Sequence, residues 1–255
     1  MLFPWMWSQL RRVGLLVSWG FLFTGCYSLR VAYEHTGLYL SKEPVEEVLN
    51  REGLSEKLRV KLQALEGVLA FARQEGLEVG GSYRDFIDNQ GKPISHTVQV
   101  AEPYKLKWVT WWYPFVGRVP YRGYFKESER DQEAFLWKKK EYDVTHGTVV
   151  AFSGLGWFDD PIYATMLQRG EASLGDLIFH ELTHRHVWFK GSVKFNENLA
   201  SFVGDHLTEK YLVQQGKEDL LKKYRIKKED KRRYRLWLRE LRTALKKYYK
   251  TLPVG

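Results

Sequence analysis

Residues 173–200 read SLGDLIFHELTHRHVWFKGSVKFNENLA, and this stretch decides both the fold class and the chemistry. Its first half has apolar residues at three- and four-residue intervals: Leu174, Leu177, Ile178 and Leu182. The spacing predicts an amphipathic helix from Ser173 to Phe189. Ser173 and Asp176 form the S-x-x-[DE] pattern that caps a helix N-terminus, so we expect the helix to begin there.

The second half predicts another helix, from Asn196 to Gln215, after a loop at 190–194. Gly216 is a plausible stop for this helix. Gly204 lies inside it and would let the two helices approach closely. The apolar residues again follow a helical spacing: Leu199, Phe202, Val203, Leu207 and Tyr211.

The first helix contains the HExxH motif at 180–184. His180 and His184 are four residues apart, so both imidazoles lie on one helical face and can reach a single tetrahedral zinc ion. Glu181 lies on the adjacent flank, where it can take a proton from the water that zinc activates. The motif therefore predicts one Zn²⁺ per chain.

A catalytic zinc of this type needs a third protein ligand, and Glu197 is the candidate. It follows His184 by thirteen residues and falls on the first turn of the second helix. Asn196–Ala200 resembles the NExxA motif of gluzincin peptidases, in which the second helix supplies this glutamate. A lone glutamate there would be explained by the helix dipole, but the upstream HExxH favours ligation.

Three further polar residues lie near these helices. His186 projects away from His184 and is expected to be an ordinary, partly buried histidine. His206 lies half a helical turn away from the face that carries Glu197. A hydrogen bond from His206 to one of the metal ligands is therefore conceivable. Ser201 stands where some gluzincins carry an aspartate that orients the first histidine. The sequence therefore does not decide whether His180 has such an orienting contact.

The composition is that of a folded globular protein. The chain has 255 residues, 44% of them hydrophobic and 15% aromatic, which excludes a disordered chain. A single cysteine excludes an internal disulfide and a cysteine-based zinc site. The net charge of +9 lies in the segment Lys217–Lys250, which has 15 Lys or Arg against 5 Asp or Glu.

The N-terminus has the pattern of a bacterial lipoprotein signal peptide, predicted for residues 1–25. Arg11 and Arg12 precede an uncharged run from Val13 to Thr24, which is too short to span a bilayer. The run ends in a sequence that resembles a lipobox and places Cys26 at the site of lipid attachment. The alternative is an uncleaved signal anchor with a buried thiol.

The whole pattern predicts an α+β fold, mainly helical with a small β-sheet and with the HExxH helix packed beside the Glu-bearing helix. We expect a helix pair in Lys42–Gly76 that breaks near Gly53, and a surface helix from Glu127 to Tyr142. Short strands are predicted in Thr97–Tyr124 and Thr148–Ser153.

Two regions follow the signal peptide: a zinc peptidase domain at 26–216 and a basic helical segment at 217–255. The basic segment repeats apolar residues at helical spacing, so one face is expected to pack: Tyr234, Trp237, Leu238, Leu241, Leu245, Tyr248 and Tyr249. Its Lys and Arg residues are expected mostly to face solvent. On a lipid-anchored protein, such a helix could add attraction to anionic headgroups.

Beyond HExxH, the chain resembles the bacterial putative aminopeptidase family, whose members are lipoproteins with a predicted zinc peptidase activity. The resemblance runs from about Cys26 to Leu212. It rests on short blocks in a fixed order: Gly25-Cys26 with Gly37-Leu38, Phe71-Ala72-Arg73 with Gly81-Ser82-Tyr83-Arg84, Pro114–Gly117 with Pro120–Phe125, Tyr142-Asp143-Val144, Gly156-Trp157-Phe158 with Asp160-Pro161, Leu177–Leu182, and Phe195-Asn196-Glu197.

The resemblance implies a peptide substrate and a cell-envelope location. Family proteins continue with further helices, so the basic segment is expected to be a shortened C-terminus. Thr148–Ser153 is the candidate edge strand for pairing with an extended peptide. Asp159 and Asp160 are candidates for binding the α-ammonium group of a substrate.

The segment 121–124, which contains two tyrosines and an arginine, has a possible role in peptide hydrolysis. A phenol of Tyr121 or Tyr124 could donate to the oxyanion, and Arg122 could bind a carboxylate. Packing and a surface salt bridge are equal alternatives for these residues.

Two other functions compete with a peptidase. A non-catalytic, lipid-anchored metal-binding protein of the envelope would have a metal site closed by a fourth protein ligand. An intracellular protein that binds nucleic acid through its basic segment would have an unlipidated Cys26. We expect no nucleic-acid partner, because the predicted signal peptide exports the chain.

Overall fold

The computed structural model describes residues 37, 39–113, 117–149 and 159–252. Residues Lys42–Gly255 form one unit of the chain and Met1–Ser41 another. The predicted signal peptide and Cys26 lie outside the described residues, as do residues 114–116 and 150–158.

Helices account for most of the regular structure, as the sequence predicts. The predicted break between the first two helices is confirmed at Gly53, whose φ of +74° suits a glycine. Ser55 caps the second helix by accepting a hydrogen bond from the Leu58 amide at 3.3 Å. The helices are α1 (Val45–Leu49), α2 (Glu56–Gln74), α3 (Glu127–Lys138), α4 (Ala164–Leu167), α5 (Glu171–His186), α6 (Val193–Gln214) and α7 (Glu218–Tyr249).

Short strands form small sheets, so the α+β prediction is confirmed. In the described residues the sheet orders are β1-β2-β8, β6-β3-β7 and β4-β5. The β2–β8 pair is parallel and the other pairs are antiparallel. The strands are β1 (Glu43–Pro44), β2 (Asp85–Ile87), β3 (Ser95–Ala101), β4 (Trp111–Tyr113), β5 (Gly117–Val119), β6 (Arg122–Tyr124), β7 (Asp143–Val149) and β8 (Ile162–Tyr163).

Strand β3 is the centre of the sheet that packs against α3. It pairs with β7 from Ser95 opposite Val149 to Ala101 opposite Asp143. Its buried side chains form a small core with α3 and β6: Val98, Val100, Tyr124 and Ala134. The predicted strand at 148–153 therefore begins earlier than expected, at Asp143, and its second half lies outside the described residues.

A second core joins α2, α5 and α6. The ring of Phe71 on α2 lies 5.7 Å from that of Phe179 on α5 and 5.4 Å from that of Tyr211 on α6, measured between centroids. Tyr211 also donates a hydrogen bond to Glu171 at 2.7 Å, and Lys217 forms an ion pair with the same carboxylate. These contacts fix the start of α5.

The predicted N-terminus of the HExxH helix is wrong by two residues. Helix α5 begins at Glu171 and its N-cap is Gly170, which makes no side-chain cap hydrogen bond. Ser173 lies inside the first turn, where its hydroxyl accepts from Lys227 at 3.0 Å. The contacts of Glu171 replace the expected capping box. The helix ends at His186, because Val187 is extended, with φ −149° and ψ 131°.

The predicted start of the second helix is also wrong, because α6 begins at Val193 rather than Asn196. Asn196 is buried and ties down the preceding loop: its side chain accepts from the amide of Phe189 and donates to the carbonyl of Phe189, both at 2.9 Å. Glu197 therefore lies on the second turn of α6. The predicted stop at Gly216 is confirmed by its φ of +64°.

The basic segment forms one long helix, but the expected packing of its apolar face is wrong. Leu221 and Tyr224, near the start of α7, are buried. Further along, Leu245 and Tyr249 are half-buried, but the other apolar residues stay exposed: Tyr234 58%, Trp237 53%, Leu238 40%, Leu241 38% and Tyr248 58%. No element of the described chain covers this face, apart from an edge contact between Tyr249 and Tyr104. Within the described residues, no helix is long and apolar enough to cross a membrane.

Candidate metal centre

The three predicted ligands lie together between α5 and α6. The Nε2 atoms of His180 and His184 are 3.2 Å apart. One carboxylate oxygen of Glu197 lies 3.5 Å from Nε2 of His180, and the other lies 3.5 Å from Nε2 of His184. Among the described residues, these three side chains form a group that could hold a metal ion.

The chemistry of these residues suits a metal ion. Bonds of about 2.0–2.1 Å at tetrahedral angles separate neighbouring ligand atoms by about 3.3–3.4 Å, and the two histidine nitrogens lie close to that spacing. The two 3.5 Å distances belong to different oxygens of Glu197, and one ligand atom from each of the three residues lies within 4.8 Å of the others. Two imidazole nitrogens and a carboxylate also form the donor set of open, catalytic zinc sites. The three residues could therefore hold a metal ion, and their donor set suits Zn²⁺.

Gly204 allows the two ligand-bearing helices to approach this closely, as the sequence predicts. A Cβ atom at Gly204 would lie 2.9 Å from the backbone oxygen of Asp176 and 3.4 Å from the Cβ of His180. Since the nearest atom belongs to the backbone, a side chain could not be accommodated by rotating a neighbour. The glycine thus sets the α5–α6 distance at the level of the ligands.

His184 is the most buried of the three ligands, at 4% exposed. Burial lowers the pKa of its imidazole, and the neighbouring His180 lowers it further. The neutral form, which can bind a metal, is therefore favoured. Its Nδ1 is buried and has no hydrogen-bond partner among the described residues, so Nε2 is the nitrogen that faces the other ligands.

The charge of Glu181 acts on Tyr83, a residue that the sequence did not single out as functional. Tyr83 is buried, and its φ of +64° is unusual for a bulky residue. Burial raises the pKa of its phenol well above the usual range, and the charges of Glu181 and Asp160 raise it further. Tyr83 is therefore a neutral phenol within electrostatic reach of the predicted base. Its place in the Gly81–Arg84 block is the sequence signal that could have identified it.

Asp159 and Arg185 anchor the C-terminal end of α5 to the loop that carries Tyr83. Arg185 donates to Asp159 at 2.8 Å and to the hydroxyl of Ser82 at 3.1 Å. Asp159 also accepts from the amide of Gly81 at 3.1 Å. Asp159, a candidate for the substrate's ammonium group, thus already has an arginine partner. The backbone amide of Asp160, the other candidate, donates to the hydroxyl of Ser82.

The remaining candidates near the helices stand apart from the ligand triad. His186 is exposed rather than partly buried, which corrects the expectation for that residue. His206 is exposed and stacks on Phe202, with ring centroids 6.2 Å apart. Ser201 lines a cavity that also includes His180 and Glu181.

The segment of Tyr121, Arg122 and Tyr124 lies at the sheet of β3. Tyr121 is 42% exposed and Tyr124 is buried in the core beside α3. Arg122 lies over the ring of Tyr124 and 3.7 Å from the carboxylate of Glu133 on α3. The structure thus shows packing for Tyr124 and an ion pair for Arg122. These were the two alternatives to a role of the segment in peptide hydrolysis.

Comparison with known families gives a match over most of the chain. A family model described as "Putative aminopeptidase" matches residues 26–254. The chain belongs to this family. The match to the aminopeptidase family includes α7, which the recognised sequence blocks did not reach. No curated protein and no solved structure matches the chain.

Proposed function

We propose that this chain is a zinc-dependent aminopeptidase in which His180, His184 and Glu197 hold the metal and Glu181 is the general base. The observation that carries the proposal is the meeting of two imidazole nitrogens and a carboxylate whose ligand atoms lie within 4.8 Å of one another, which is the donor set of open zinc sites. Membership of a family named for aminopeptidase activity supports the reaction class.

Glu181 would carry the proton through the reaction. Zinc supplies the Lewis acid that lowers the pKa of water to about 7 and polarises the scissile carbonyl. The Glu181 carboxylate accepts the proton of the attacking water and then gives it to the departing amine. Tyr83 is a neutral phenol within electrostatic reach of this carboxylate.

We propose further that a lipid on Cys26 holds the protein at a bacterial membrane, facing the periplasm or exterior. The sequence pattern before Cys26 supports this location. The exposed apolar face of α7 would lie against the membrane surface. Its flanking Lys and Arg residues would be attracted to anionic headgroups.

The test of the peptidase proposal combines metal analysis with hydrolysis. Protein purified without chelators should contain one zinc per chain and cleave a panel of aminoacyl and peptide substrates. His180→Ala, His184→Ala and Glu197→Ala should each lose the metal and the activity. Wild-type protein that binds no zinc on reconstitution would refute the metal site. Zinc-loaded protein inactive across the panel would favour the non-catalytic, metal-binding alternative.

A further inference from the structure

A cavity of about 620 Å³ extends from the predicted catalytic residues along the groove between α5 and α6. His180 and Glu181 line it, and Asp176 continues the same face of α5 by one turn. On the other side, residues of α7 form its wall. The cavity is therefore continuous with the place where a substrate carbonyl would have to lie.

The orientation of α7 brings positive charge into this cavity. Leu221 and Tyr224 face the protein at the start of the helix. Lys231 and Arg235, two and three turns after Tyr224, continue near the same helical face and line the cavity. Arg169, in the turn before α5, also lines it.

Most charges in the cavity wall already have a partner. Glu209 forms ion pairs with Arg225 at 2.8 Å and Lys228 at 3.0 Å. Glu229 forms one with Arg232 at 2.7 Å. Each of these carboxylates is therefore neutralised within the wall.

The inner carboxylates also have partners. Asp205 accepts a hydrogen bond from Tyr224 at 2.8 Å and lies 3.5 Å from Lys228. Asp176 lies within electrostatic reach of Asp205, Tyr224 and Lys231, which all act on its pKa. The phenol has a single proton, and Asp205 accepts it.

Four cations of the cavity wall form no ion pair with a carboxylate among the described residues: Arg169, Lys227, Lys231 and Arg235. Lys227 donates to the hydroxyl of Ser173 at 3.0 Å, and Arg235 donates to the backbone oxygen of Lys231 at 3.3 Å. The charge of Lys231 acts on Asp176 at the inner end of the cavity. Lys231 and Arg235 lie on consecutive turns of one helix. They present adjacent positive charges to a space large enough for a peptide side chain.

We propose that Lys231 and Arg235, with Arg169, form a subsite that binds a carboxylate of the substrate peptide. The proposal rests on the peptidase function and names its substrate class: peptides with an acidic group beside the scissile region. The carboxylate could belong to an Asp or Glu side chain or to the C-terminus of a short peptide. Both sources would make the same charge-assisted hydrogen bonds.

Binding measured without turnover tests the subsite. The full chain carrying Glu181→Gln is loaded with zinc and titrated by calorimetry with three tetrapeptides: Ala-Ala-Glu-Ala amide, Ala-Ala-Gln-Ala amide and Ala-Ala-Gln-Ala free acid. The Glu peptide should bind about fivefold to thirtyfold more tightly than the Gln amide, since two partly exposed charge contacts add about 1–2 kcal/mol. The free acid shows whether a terminal carboxylate substitutes for the side chain.

The matched variants are Lys231→Gln with Arg235→Gln, and Lys222→Gln as the control. Lys222 lies on the same helix but is exposed and does not line the cavity. The double variant should bind the Glu peptide and the Gln amide within twofold of each other, while the control keeps the preference. The preference should also shrink between 0.05 and 0.5 M salt, because screening weakens exposed charge pairs.

Equal affinity for all three peptides in the parent protein would overturn the subsite, and so would a preference that survives the double variant. Failure of the peptidase proposal looks different. A wild-type chain that cleaves nothing but keeps the carboxylate preference would retain the subsite and lose the enzyme. A chain that cleaves neutral and acidic peptides with equal kcat/KM would retain the enzyme and lose the subsite.

Discussion

Gly204 faces the backbone oxygen of Asp176 so closely that a Cβ atom there would be only 2.9 Å away. This contact lies one turn before His180 on α5 and two turns after Glu197 on α6. The three ligands come from two helices, so their spacing depends on the distance between those helices. A small residue at the contact point is therefore a requirement of the proposed metal site rather than of either helix alone.

Gly204→Ala should weaken both the fold and the zinc site. The methyl group must push α5 and α6 apart, at a cost of about 1–3 kcal/mol in stability. A shift of a few tenths of an ångström in Glu197 should also lower zinc affinity about tenfold or more. Thermal unfolding and a competitive chelator titration measure the two effects.

The control for this substitution is Gly170→Ala, where a Cβ would meet no atom within 4 Å. It should leave zinc affinity unchanged. Equal affinity in Gly204→Ala and wild type would mean that the helix spacing does not limit the site.

Glu181→Gln should separate metal binding from catalysis. Glu181 is outside the ligand triad, so the variant should keep one zinc per chain and an unchanged Tm. The amide cannot accept the proton, and general acid–base catalysis contributes about 10²- to 10⁴-fold, so kcat/KM should fall by at least that factor. The measurement is hydrolysis of the best panel substrate with zinc quantified in both proteins. Unchanged kcat/KM would assign the base to another group.

The sequence predicts the ligand-bearing helices well because periodicity reports on local structure. HExxH at helical spacing and the apolar residues of α5 and α6 identify these elements directly. The boundaries depend on particular side-chain contacts instead. Glu171 contacts Tyr211 and Lys217, so α5 does not begin at its capping pattern. Asn196 is hydrogen-bonded to Phe189 in the preceding loop and lies inside α6 rather than at its start.

The environment of the site could not be predicted in the same way. Tyr83 is about 100 residues before Glu181, and only the tertiary fold brings their charges together. The apolar repeat in α7 correctly predicts a helix, but periodicity does not reveal whether a partner covers its apolar face. The position of Arg235 over the cavity likewise depends on where α7 crosses α5 and α6.

Asp159→Asn should lower stability without altering substrate binding. The variant takes the carboxylate from Arg185, whose side chain is only 17% exposed, while Asp159 itself is 52% exposed. The loss should be about 1 kcal/mol, because the exposed partner is partly screened. The measurements are Tm and KM for aminoacyl substrates, with Asp160→Asn in parallel. A tenfold rise in KM with unchanged Tm would instead assign Asp159 to the substrate's ammonium group.

Asp176→Asn should stabilise the metal-free protein at neutral pH. Burial raises the pKa of Asp176, and the neighbouring Asp205 raises it further. The pKa of this carboxyl is higher in the folded protein than its unfolded value of 3.8, so its ionised form destabilises the fold at neutral pH. This loss of stability disappears as the pH falls to 3.8, because the carboxyl is then protonated in the folded protein. The variant's advantage should therefore be present at pH 7 and vanish near pH 4. Denaturant unfolding of chelator-treated protein at both pH values measures it. An advantage independent of pH would exclude ionisation as its cause.

Trp237→Ser with Leu241→Ser tests the exposed face of α7. These side chains are 53% and 38% exposed, so the double variant should change the stability by less than about 1 kcal/mol. Leu221→Ser, on the buried face of the same helix, should cost about 2–4 kcal/mol.

Binding to vesicles of anionic and neutral lipid is the second measurement, made on protein lacking the lipid anchor. The double variant should bind anionic vesicles at least tenfold more weakly, because two interfacial apolar anchors are lost while the Lys and Arg residues remain. Equal vesicle binding by the double variant and wild type would remove this face from the membrane contact.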